Sequence, residues 1–132
     1  MNRVRRVLEY AVTKIPPGKI LMGFSNYGYN WNLPWRQGDA ARVIANAAAL
    51  NLAVSVGAEL KFDRTAQAPF FTYTDSTLQR HVVWFEDVRS VYARLQLVKE
   101  FGLAGISFWT INQLFRPGLI LLQSMYSVEK II

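Results

Sequence analysis

The chain has 132 residues, 52% of them hydrophobic and 18% charged, which is enough for one domain with a sizeable core and excludes general disorder. Its net charge of +6 raises the prospect of polyanion partners, but the positive charges are scattered and only Arg3, Arg5 and Arg6 cluster, so nucleic acid is not expected. The absence of cysteine excludes disulfides, thiolate nucleophiles and cysteine zinc sites, and a single histidine, His81, cannot build a multi-histidine metal site.

Residues 2–14 read as a helix, with Val4, Val7, Leu8, Ala11 and Ile15 as its apolar stripe. Pro16, Pro17 and Gly18 stop it. After Lys19 the run 19–24 is apolar, which suits a strand buried on both faces in a parallel sheet. Residues 25–38 read as a loop rich in aromatic and amide groups: Tyr27, Tyr29, Asn30, Trp31, Asn32 and Trp35, punctuated by Gly28 and Pro34. Asp39 is expected to cap a helix over 40–53.

Short strands follow at 59–62, 69–73 and 82–85, with a turn at 75–79, so segment 39–85 reads as a small α+β insertion. His81 is expected at an edge or on the surface, and Trp35 as a packing residue. Asp87 is placed to cap a helix over 88–101 with the stripe Val88, Val91, Tyr92, Leu95, Val98 and Phe101, and Gly102 to end it. A strand at 104–109 and a helix at 119–126 complete the chain. Helix and strand alternate on either side of the insertion, which predicts an α/β fold with βα units on a parallel sheet. No apolar run reaches the ~20 residues of a membrane-spanning helix. Glu9, Tyr10 and Lys14 interrupt any signal-peptide core.

Two of these strands end in similar groups. Met22-Gly23-Phe24-Ser25-Asn26-Tyr27-Gly28-Tyr29-Asn30-Trp31 and Gly105-Ile106-Ser107-Phe108-Trp109 both run from apolar residues into aromatic ones. They resemble the seventh and eighth barrel strands of family 18 glycoside hydrolases, the chitinase-like enzymes. The run Gly57-Ala58-Glu59, Phe62-Asp63, Ala66-Gln67, Pro69-Phe70-Phe71 and Tyr73-Thr74-Asp75 resembles the α+β insertion of that family. His81-Val82-Val83-Trp84-Phe85-Glu86-Asp87 with Arg89-Ser90 resembles the entry to its seventh helix. Within the family the likeness is greatest to spore-cortex-lytic and germination enzymes of endospore-forming bacteria.

The resemblance implies a fold: the C-terminal part of a (β/α)8 barrel, its last two strands and their helices. It also implies an activity, hydrolysis of β-1,4 links beside N-acetylglucosamine in chitin or peptidoglycan cortex fragments. In that chemistry a glutamate protonates the leaving oxygen and the substrate's own N-acetyl oxygen replaces the nucleophile. No metal or organic cofactor is implied, and the location implied is the spore or cell wall. Trp109 would be the floor under the sugar, since the C–H face of a pyranose stacks on an indole. Tyr27, Tyr29, Asn30 and Trp31 would supply further substrate contacts past the strand end.

The departures are equally specific. A barrel of this kind typically needs ~250 residues. The acidic Asp-x-x-Asp-x-Glu run of the family's fourth strand does not occur, nor does its sixth-strand tyrosine motif. The last helix starts Arg116-Pro117-Gly118-Leu119 rather than with a proline, amide and tryptophan pattern, and the turn at 75–79 has no glycine. No catalytic residue is therefore assigned. Adjacent Glu86 and Asp87 cannot face one site from opposite sides, so capping the next helix is the better role for them. Three alternatives stay open: a glycosidase portion that binds an N-acetylglucosamine glycan but is inactive alone and needs a complementary N-terminal half, a non-catalytic carbohydrate-binding or structural remnant that forms a homo-oligomer, and a basic accessory protein for a polyanion.

Overall fold

A computed structural model describes residues 1–129 and contains two sheets. Helix α1 (Asn2–Ala11) leads through a 3₁₀ turn at Pro17–Lys19 into strand β1 (Leu21–Ser25). Five strands and a helix then make the insertion: β2 (Tyr27–Leu33), β3 (Arg42–Ala45), α2 (Asn46–Ser55), β4 (Lys61–Asp63), β5 (Ala68–Thr74) and β6 (Arg80–Trp84). The chain returns through α3 (Val88–Glu100) to β7 (Gly105–Trp109) and ends in α4 (Arg116–Met125). None of these helices is long and apolar enough to cross a membrane.

Strands β1 and β7 pair in parallel, from Leu21 opposite Gly105 to Ser25 opposite Trp109. Leu8, Met22, Phe24, Val91, Leu95 and Val98 pack beneath them as one core. The α3 stripe forms as its spacing requires, with Val91, Leu95 and Val98 buried. Asp87 Oδ1 accepts the Ser90 N–H at 3.1 Å, which satisfies an orphan donor of the first turn. Gly102 adopts a φ of +60° just past the helix end, where a left-handed residue closes the last turn. Two stripes are narrower than expected: Val7 and Ile15 of the first, and Val88 and Tyr92 of the second, lie on the surface. Helix α4 begins earlier than 119 because Pro117, in its first turn, needs no helical N–H partner.

The second sheet has the order β3-β2-β6-β5-β4 and is antiparallel throughout. Its inner face packs Phe71, Val83 and Phe85 against Ala49 and Ala53 of α2. This sheet corrects four expectations. Residues 27–33 are a strand rather than a loop, so the sheet begins upstream of the 39–85 segment. The backbone of Tyr27 to Asn30 pairs with Ala45 to Arg42, so 42–45 is a strand and α2 starts only at Asn46. Asp39 instead accepts the Arg36 N–H at 2.8 Å in the turn between β2 and β3, and Trp35 is exposed on the same connection.

His81 lies in the central strand and is 7% exposed, not at an edge. It stacks on Tyr73 with ring centroids 4.6 Å apart, and its Nε2 lies 3.1 Å from Asp75 Oδ2. Asp75 also gathers the turn: its Oδ1 accepts Thr77 N–H at 2.9 Å, Thr77 Oγ1 at 2.7 Å and Gln79 N–H at 3.0 Å. The left-handed position that the missing glycine would fill is taken by Leu78 at φ +64°.

Gly28 lies where β2 crosses the end of β6, and a Cβ there would stand 2.1 Å from the Trp84 carbonyl oxygen and 2.7 Å from Phe85 Cα. Backbone cannot retreat as a flexible side chain can, so Gly28→Ala is expected to cost about 3 kcal/mol or more in chemical denaturation. The hydrogen bond from the Thr77 hydroxyl, then that to His81, hold the Asp75 carboxyl well below the usual carboxylate range. A depressed folded pKa stabilises above the unfolded value, about 3.9, and that stability is lost as pH falls below it. The stability of Asp75→Asn should accordingly fall less between pH 4 and pH 2 than that of the unsubstituted chain.

Candidate functional site

The C-terminal ends of β1 and β7 lie side by side, and one residue, Asn26, separates β1 from β2. The strand therefore leaves the parallel pair and enters the insertion sheet almost at once. An open cleft of about 330 Å³ forms at this junction, lined by Tyr27, Tyr29 and Val43 on one side and by Trp109, Thr110, Asn112 and Gln113 on the other. Trp109 is 70% exposed, so its indole is presented rather than packed. Residues i and i+2 share a strand face, so Tyr27, Tyr29 and Trp31 project from the same side of β2. Their rings touch in series: Tyr27 and Tyr29 meet edge-on at 5.6 Å, and Tyr29 and Trp31 lie at 6.2 Å.

The structure thus brings together Trp109, Tyr27 and Tyr29 of the five residues expected to bind substrate. Trp31 is half-buried one step further along the same face and does not line this cleft. Asn30 projects to the opposite face, where its Nδ2 donates to the Tyr73 hydroxyl at 2.9 Å. Four lining residues were not singled out from the sequence. Thr110, Asn112 and Gln113 directly follow the strand end, and the Thr110 hydroxyl contacts the Asn112 amide oxygen. Their position past a strand terminus was the available signal. Val43 had none, because it enters the cleft only by pairing opposite Tyr29.

The Tyr29 hydroxyl pushes the Tyr27 phenol pKa up, with burial adding to it. The cleft therefore offers an apolar ring surface, neutral hydroxyls and amides, which is chemistry suited to a polar molecule with C–H faces. Among the described residues no group of three or more His, Asp or Glu is placed to hold a metal ion.

A second, smaller cleft of about 170 Å³ shares Tyr27 and Tyr29 and is lined further by Trp84, Glu86 and Arg94. Glu86 and Arg94 form an ion pair with side chains only 13% and 17% exposed. Burial pushes the Glu86 carboxyl up in spite of Arg94. The Glu86 N–H donates to Asn46 Oδ1 at 3.0 Å and its carboxylate is taken up by Arg94, so it is Asp87 alone that caps α3 with its side chain. A wider hollow of about 500 Å³ lies on α1 beside Arg3, Arg6, Val7 and Tyr10, with one ring only.

Residues 2–113 match the model of glycosyl hydrolases family 18, and the chain belongs to that family. The cortical fragment-lytic enzyme of Bacillus subtilis (strain 168) is 45% identical over 128 residues, covering 96% of this chain and 30% of that protein. The spore cortex-lytic enzyme SleL of Bacillus megaterium QM B1551 superposes with a TM-score of 0.91 at 41% identity, over 98% of this chain and 30% of its own. A chitinase from Chromobacterium violaceum ATCC 12472 superposes at 0.80 with 27% identity, over 92% and 37%. The chain thus spans about a third of the length of the relatives it matches. In that frame β1 and β7 are the last two strands of a (β/α)8 barrel, with α1, α3 and α4 around them and the five-stranded sheet inserted between.

The buried ion pair yields a test. Removing Arg94 leaves the Glu86 carboxylate buried without its counter-ion, a change that typically costs about 3–5 kcal/mol. Arg94→Ala should be destabilised by that order in urea, and the double variant Arg94→Ala, Glu86→Gln should recover part of the loss.

Proposed function

We propose that this chain carries the sugar-binding floor and wall of a chitinase-like glycosidase acting on β-1,4-linked N-acetylglucosamine glycans, and that alone it binds without cleaving. The glycans meant are peptidoglycan cortex fragments or chitin, and the setting is the spore. The observation that carries the reading is the exposed indole of Trp109 set at a strand end across a cleft from Tyr27 and Tyr29. An indole of that exposure offers its ring face to the C–H face of a pyranose, while the flanking hydroxyls and amides meet the sugar's polar rim. The names of the relatives, cortical fragment-lytic and cortex-lytic enzymes, support the substrate class.

Cleavage needs an acid, and the family's acidic fourth-strand run does not occur in these 132 residues. Glu86 is held by Arg94, and Asp87 is held by Ser90 and Arg89, so both carboxylates already have partners of their own. The acid would come from the complementary part of the barrel. Strands β1 and β7 each have one neighbour among the described residues, so each retains an outer edge for a further parallel strand. The same two edges favour a second reading, in which copies of the chain pair with one another and the assembly binds glycan without chemistry.

The test is a tryptophan-fluorescence titration with N-acetylglucosamine oligomers, with product analysis on the same samples. A saturable change without products is expected, weakened at least tenfold in Trp109→Ala through loss of the stacking surface. Products would overturn the claim that the chain is inactive alone. A response unchanged by Trp109→Ala would overturn the platform. A light-scattering mass of one 15.1 kDa chain would reject the self-pairing reading.

A further inference from the structure

Trp109 poses a physical problem. A side chain 70% exposed has little packing of its own to hold it, yet a stacking platform must keep a fixed tilt. Its orientation therefore depends on how firmly its backbone is held. The strand ladder that fixes β7 ends at the pair Ser25 and Trp109, so the regular sheet supplies no further constraint beyond the platform itself.

The constraint comes from Asn26, which is 3% exposed. Its backbone N–H donates to the Trp109 carbonyl at 2.9 Å. Its side-chain Nδ2 donates to the Thr110 carbonyl at 3.0 Å. The carbonyls of both residues are thereby tied to one buried asparagine. Its own carbonyl accepts the N–H of Asn46 at 3.3 Å, and Asn46, 1% exposed, receives the Glu86 N–H on its Oδ1 at 3.0 Å. A chain of hydrogen bonds thus runs from the end of β7 to the start of α2 and on to the entry of α3. Asn26 also immediately precedes Tyr27, so the residue that ties down the floor begins the wall.

We propose that Asn26 is a positioning residue for Trp109: its side-chain amide, by donating to the Thr110 carbonyl, fixes the indole against the Tyr27 and Tyr29 wall. This rests on the sugar-platform reading for its purpose, though not for its geometry. A buried amide at this point also leaves no slack, because removing the donor strands a carbonyl that the strand ladder does not reach.

The chain has four tryptophans, so labelling with 5-fluorotryptophan gives four fluorine resonances, and Trp109→Phe assigns one of them. Asn26→Leu keeps a comparable volume without the donor. The expected result is a shifted and broadened Trp109 resonance with those of Trp31, Trp35 and Trp84 unmoved, together with about tenfold weaker binding of the N-acetylglucosamine trimer. A general structural role would instead move the Trp31 and Trp84 resonances of the insertion sheet as well, and would overturn the proposal. So would an unmoved Trp109 resonance. If Asn26→Leu fails to fold, Asn26→Ala is read in the same way, and failure of both to fold makes Asn26 a folding determinant and rejects the positioning role. Should the unsubstituted chain bind no oligomer, the sugar reading falls, while the fluorine spectrum still decides whether Asn26 positions Trp109.

Discussion

The parallel pairing of β1 with β7 is the constraint on which the site depends. It aligns two strand ends, and the single residue between β1 and β2 then leaves the chain no room to wander before the insertion sheet begins. With strand alternation fixed at a period of two, that tight join decides that Tyr27 and Tyr29 share the Trp109 cleft and that Asn30 does not. A longer connection would have separated Trp109 from Tyr27 and Tyr29.

The two cores divide the labour around this join. Leu8, Met22, Phe24, Val91, Leu95 and Val98 hold the barrel strands on their helices, and Phe71, Val83 and Phe85 hold the insertion sheet on α2. Between them run polar contacts: the buried asparagines 26 and 46, and the Glu86–Arg94 pair. Apolar packing gives each part its stability, whereas directional hydrogen bonds set how one sits on the other, since packing alone is tolerant of small rotations. The cleft lies where these directional contacts concentrate.

Much of the barrel portion was legible in the sequence. The 88–101 helix showed an apolar stripe, an acidic cap and a terminal glycine, and these local signals agree with the structure because each acts within a few residues. Residues 27–33 were misread as a loop for a physical reason as well. Gly28 and the amides carry turn signals, and strand character there comes from pairing with β3 and β6. The same pairing turned 42–45 from expected helix into strand, since Val43 and Ile44 have partners across the sheet that outweigh the alanine-rich sequence after them. His81 looked like an edge residue and proved central because β6 is flanked by two strands that are distant from each other in sequence.

The sequence by itself determined the family, the alternation of strands and helices, and the aromatic residues at two strand ends. These are properties of periodicity and motif, which neighbouring residues carry. Only the tertiary structure decided which aromatics meet: Trp109 with Tyr27 and Tyr29, Trp31 set apart, and Val43, Thr110, Asn112 and Gln113 drawn in. The reason is that Trp109 and Tyr27 lie far apart along the chain, and nothing local records that two parallel strand ends, joined through Asn26, place them across one cleft.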